Sequence, residues 1–241
     1  MMGPAATILA FTLPAVAVAA AGGALAARWP PGQRTTAAIQ HLAAGIVFAA
    51  TALELLPKER TEAALPVILG FAVGIVLMLA LRTFASAMEK RQEARRFPGG
   101  LVLVTGIDML IDGLVLGIAF AAGERAGVLL AVALTLEVLF LAVSVSAALV
   151  NAGVARTTAT AVPTGLCLLL AGGALVGRLL LGNLPPFPFA ILLGIGIVAL
   201  LYLVTEELLV EAHEVAETPW SIAAFFIGFL AFLVIEMVLE T

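Results

Sequence analysis

The chain has 241 residues, of which 63% are hydrophobic and 12% charged, with a formal net charge of -4 and a mean hydropathy of +1.18. So little polar surface excludes a soluble globule of this length, and the scattered basic residues give no surface for nucleic acid. A single cysteine, Cys167, lies within an apolar run, which excludes an internal disulfide and a thiolate metal cluster.

The predicted fold is all-α: one polytopic membrane domain, residues 1–241, with eight transmembrane helices. Taken in order, the apolar runs cover about 4–27, 37–56, 64–85, 100–122, 126–150, 159–181, 187–210 and 220–239. Each is long enough to cross a hydrocarbon core of about 30 Å. The first is read as a retained helix, because Met1 to Leu9 carries no basic segment of the kind that opens a signal peptide. The breaks carry turn chemistry: Trp29-Pro-Pro-Gly32, Pro57-Lys-Glu-Arg60, Gly123-Glu-Arg125 and Leu184-Pro-Pro-Phe-Pro188. Small residues mark helix contacts, namely Gly70 and Gly74, Gly113 and Gly117, and a group in span six comprising Gly165, Gly172, Gly173 and Gly177. Pro14 and Pro163 fall inside spans one and six, where a missing amide leaves a backbone carbonyl open.

Eight spans place Arg28, Arg34, Arg82, Lys90, Arg91, Arg95, Arg96 and Arg156 on one side, which is eight, against four on the other: Lys58, Arg60, Arg125 and Arg178. The positive-inside bias assigns the first side to the cytoplasm and both termini to the outside. The polar segment Met88 to Arg96 is then a cytoplasmic loop between spans three and four, solvated and facing anionic lipid.

Three carboxylates sit where hydrocarbon should be. Asp108 and Asp112 are four apart in span four, hence on one helical face and about one turn apart, and Glu137 lies midway along span five. A charge at the bilayer centre costs roughly 2.5–3.5 kcal/mol on insertion scales. No basic residue stands at mid-span to offset it, so these three are the expected centre of a cation or proton path, with Met109 as a neighbouring thioether. His41 lies toward the cytoplasmic end of span two and Glu54 toward the outer end, about 20 Å apart along the helix, too far to share an ion. His41 suits a hydrogen-bonding core histidine as well as a ligand. Glu206 and Glu207 lie toward the cytoplasmic end of span seven, followed by Glu211-Ala-His213-Glu214. These glutamates fit either a path lining or an interfacial position, and Glu236 fits an interfacial position facing water. Glu54-Leu-Leu-Pro57 is echoed by Glu207-Leu-Leu-Val210, the local sign of inverted pseudo-symmetry between two halves.

The order of these strings resembles the ZIP (Zrt/Irt-like) family of divalent metal transporters: His41-Leu-Ala-Ala-Gly45 running on to Glu54-Leu-Leu-Pro57, Asp108-Met-Leu-Ile-Asp112-Gly113-Leu-Val-Leu-Gly117, Leu136-Glu137-Val138, Tyr202 to Glu207, and Gly228 to Glu236. The family's span-four pattern His-Asn-x-Pro-Asp/Glu-Gly maps onto Asp108, Met109 and Asp112-Gly113. Its span-five pattern His-Glu-x-Pro-His-Glu maps onto Leu136 to Leu141, so Asp112 and Glu137 carry over, Asp108 is a changed ligand, and Leu136 and Leu141 are apolar at ligand positions. The resemblance implies that Glu54 and Glu207 line the ends of the path, with a homodimer and an elevator-like slide of spans one, four, five and six against two, three, seven and eight.

The expected activity is transport of zinc, manganese, iron or a similar divalent ion by alternating access across the plasma membrane. The metal is substrate, no cofactor is expected, and neither is enzymatic chemistry: the chain has no His-Glu-x-x-His string and no Gly-x-x-x-x-Gly-Lys-Ser/Thr string. The expected partners are the metal ion, the bilayer and a second copy of the chain. A hard oxygen set favours manganese, ferrous iron or magnesium by ligand type, though zinc also accepts carboxylates. The alternatives are a proton-coupled carrier of another solute and a non-transporting metal sensor or structural membrane protein.

Overall fold

The computed structural model describes residues 3–92, 99–213 and 219–240. Among these, every regular element is helical and there is no strand. Eight helices are long and apolar enough to cross a membrane. They are α1 Pro4–Arg28, α2 Gln33–Glu59, α3 Ala64–Gln92, α4 Gly99–Ala122, α5 Glu124–Asn151, α6 Arg156–Leu179, α7 (Pro186–Tyr202 continuing through Leu203–Leu208 and Leu209–His213) and α8 Pro219–Glu240. Several outrun the expected spans, because flanking polar residues extend a helix once its apolar part has nucleated it. In α3 this carries the helix through Met88–Gln92, part of the expected loop, while residues 93–96 of that loop lie outside the described residues. Both α1 and α6 continue through their internal prolines, Pro14 and Pro163.

Alternating helix direction gives the bundle two ends. One holds Arg28, Gln33, Gly99, Arg156 and His213, and is called here the arginine-rich end; the other holds Pro4, Glu59, Glu124 and Glu240. Helices α1, α4, α5 and α6 pack against one another as one body. Around it, α2 pairs with α8 and α3 with α7, and the two groups meet chiefly where α2 crosses α5 and α7 crosses α4.

Close approach explains which glycines matter. A Cβ at Gly113 would meet the Leu170 carbonyl, one at Gly117 the Ala174 carbonyl, and one at Gly177 the Leu114 carbonyl, so α4 and α6 interlock backbone to backbone. Gly45 and Gly228 serve the α2–α8 crossing in the same way, as Gly70 does against α7, where Gly74 makes room for the Val198 side chain. Gly165 and Gly172 differ from expectation: a Cβ at either meets open space, so neither is a contact residue. Glycine spacing marks a face of a helix, but a neighbour has to lie on that face.

Both halves of the Glu54/Glu207 echo lie in π-helical segments, Thr51–Leu55 in α2 and Leu203–Leu208 in α7. A π turn inserts one residue into the helical count and re-aims the side chains after it, a device common at functional sites.

Candidate metal centre

α4 enters the bundle at Gly99, so Asp108 lies about 14 Å and Asp112 about 20 Å along its axis at 1.5 Å per residue. α5 runs the other way from Glu124, which brings Glu137 to about 20 Å depth from the opposite end. The three meet at the α4–α5 contact: one ligand oxygen from each lies within 4.8 Å of the other two. Asp112 is 2% exposed and Glu137 fully buried, and Asp112 Oδ2 and both Glu137 carboxylate oxygens have no hydrogen-bond partner. Buried carboxylate oxygens without donors are costly, and two of them facing a third carboxylate are more so. A cation among them, or protons on them, offsets that cost.

Two cavities lead to this cluster. One, of about 110 Å³, is lined by Gln40, Leu101, Thr105, Asp108, Ser144 and Glu207 among others. The second, of about 50 Å³, lies between α3, α4 and α7 and is lined by Arg82, Asp108, Asp112, Tyr202 and Glu207. Leu101, Arg82 and Gln40 stand toward the arginine-rich end, so both cavities extend from the cluster on that side. Asp108 and Glu207 line both, which puts Glu207, within its π segment, on the cavity walls beside the trio.

At the opposite end, polar contacts cross between the two helix groups. Arg125, in the first turn of α5, reaches Glu54 of α2 and Glu236 of α8, each at 3.5 Å. Lys58 of α2 donates to the Ala122 carbonyl at the end of α4, 3.3 Å away. Glu54 is thus 7% exposed at its side chain and ion-paired. Glu236, expected to face water, is 15% exposed and joined to the same arginine. The sequence reading missed Arg125 because its Gly-Glu-Arg setting reads as a turn, and nothing local says that it folds back over two distant helices.

Glu206 pairs with Arg82 at 2.8 Å on the surface toward the arginine-rich end, one residue from Glu207 but on another side of the helix. Met109, beside Asp108, is 1% exposed and belongs to the apolar core, and it lines neither cavity. His41 is not among the converging side chains. Its Nδ1 donates to the Ala37 carbonyl at 2.9 Å, and its ring lies 5.3 Å, centroid to centroid, from that of His213, whose Nδ1 bonds the Leu209 carbonyl. Glu214 lies outside the described residues. Leu141 stands on the wall of the larger cavity beside Phe140 and Asp108, one turn beyond Glu137, so an apolar side chain occupies that flank. Glu59, read as part of a turn, is instead helical and 1% exposed against Gly194, with neither carboxylate oxygen hydrogen-bonded. No protein-family model matches this chain, nor does any curated protein. The chemistry is accordingly read from its own residues.

Proposed function

We propose that the protein carries a divalent cation across the membrane through the Asp108–Asp112–Glu137 cluster, as a ZIP-like transporter with an altered centre. The observation that carries this reading is the convergence of three carboxylates within 4.8 Å at mid-depth, their buried oxygens unmatched by any protein donor at Asp112 Oδ2 and Glu137. A divalent ion supplies the missing partner, and three carboxylates offer hard oxygen, favouring manganese, ferrous iron or magnesium while still admitting zinc. Cavities extending toward one end, with Arg125 and Lys58 bridging the helix groups at the other, are consistent with one conformer of an alternating-access cycle. The packing of α1, α4, α5 and α6 as a body agrees with its sliding as a unit. The paired π segments around Glu54 and Glu207 support an inverted relation between halves. On this reading the arginine-rich end faces the cytoplasm, the membrane is the plasma membrane, the flow is inward and the assembly is a homodimer.

The test is flux in proteoliposomes enclosing a metal-sensitive dye. Manganese entry should be saturable and should disappear in Asp112→Ala. Manganese should also protect Asp112 and Glu137 from carbodiimide modification. Undiminished entry in Asp112→Ala overturns the reading, and modification indifferent to metal favours a proton-coupled carrier instead.

A further inference from the structure

On the outer face of the bundle, α1 and α6 line a groove of about 860 Å³. Its floor is made of small residues, among them Ala20, Ala24 and Gly165, and it ends at Val16 and Leu168. Arg28, in the last turn of α1, and Arg156, in the first turn of α6, flank its mouth. Both arginines are exposed, and neither forms an ion pair among the described residues. The threonine hydroxyls along the wall are satisfied internally, Thr160 donating to the Arg156 carbonyl and Thr164 to the Thr160 carbonyl, which leaves an apolar trough beneath a doubly basic mouth.

The dimensions match one leaflet. Arg28 to Val16 and Arg156 to Leu168 are each about 18 Å at 1.5 Å per residue, close to half of a hydrocarbon core of about 30 Å. A guanidinium from each side of the mouth suits a phosphate held between two forks. We propose that this groove is a binding site for an anionic glycerophospholipid, one acyl chain lying in the trough and the phosphate between Arg28 and Arg156. A second copy of the chain fits less well, because a two-fold contact through this groove would bring four arginines together. The site is separate from the carboxylate cluster and stands whether or not the chain carries metal.

The experiment is a native mass-spectrometric titration of the full chain in detergent with phosphatidylglycerol and with phosphatidylcholine of the same acyl chains. Phosphatidylglycerol should bind more tightly, and Arg28→Gln/Arg156→Gln should weaken it by about 25-fold, counting about fivefold for each basic residue, while phosphatidylcholine, whose phosphate charge is offset by its choline, should weaken by less. Arg34→Gln, near the same end but outside the groove, should bind phosphatidylglycerol as the unaltered chain does, and soluble glycerophosphate should not compete. Gly165→Leu fills the trough where a Cβ meets open space, so it should weaken both lipids while leaving the thermal midpoint in place. Equal binding of the two lipids by the unaltered chain overturns the proposal, as does a double variant within twofold of it. So does a Gly165→Leu chain that keeps its lipid but changes from dimer to monomer.

Discussion

Replacing Asp112 by Asn should have opposite effects with and without metal. The ligand oxygens of Asp108, Asp112 and Glu137 lie within 4.8 Å of one another. At an effective dielectric constant of about 20, each ionised pair at that separation repels by at least about 3.5 kcal/mol, and Asp112 takes part in two of the three pairs. Proton uptake relieves part of this in the metal-free protein, so the expected gain from the neutral, isosteric Asn is about 1–3 kcal/mol. With metal the balance reverses. An ion at 100 times its dissociation constant stabilises the unaltered chain by about 2.7 kcal/mol, or roughly 5–10 °C for a chain of this size, and the Asn variant should lose most of that increment. Cys167 is the single cysteine and is 1% exposed, so a thiol-reactive dye reports its release on heating. Melts of both chains in chelator and in manganese complete the comparison. An Asp112→Asn chain that melts below the unaltered one in chelator, and gains as much from manganese, would show that the trio neither repels nor binds as described.

Arg125→Gln should strand Glu54, 7% exposed, beside Glu236 and cost about 1–3 kcal/mol, less than a fully buried pair because Arg125 itself is 45% exposed. Adding Glu54→Gln should recover most of the loss, and melts of the four chains of that cycle that simply add would refute the pairing. Leu141→Glu places a fourth carboxylate on the cavity wall, so anomalous scattering from metal-soaked crystals should show one central ion in the unaltered chain and two in the variant. Two central ions in the unaltered chain would contradict the expectation that three carboxylates cannot hold four positive charges. Metal binding should weaken as pH falls, since protons and the cation compete for the same oxygens of Asp112 and Glu137. Calorimetry in two buffers of different ionisation enthalpy should then show proton release, and identical heats would refute it.

What the sequence determined by itself is what depends on neighbours along the chain. Eight spans follow from unbroken apolar runs, since a bilayer rewards each helix separately for satisfying its own backbone. The shared face of Asp108 and Asp112 follows from helical periodicity alone, and their cost in hydrocarbon singles them out before any partner is known. Which faces meet depends on packing between helices. Glu137 joins the aspartates because α5 packs antiparallel against α4, an arrangement written in the glycine and alanine contacts of several helices at once. The same packing turned Met109 into the core, left Gly165 facing an open groove, and drew Arg125 across to Glu54 and Glu236. Hydropathy and helical periodicity are local along one helix, whereas the rotation of each helix about its axis is set by close packing with all its neighbours, and that rotation decides which side chains converge.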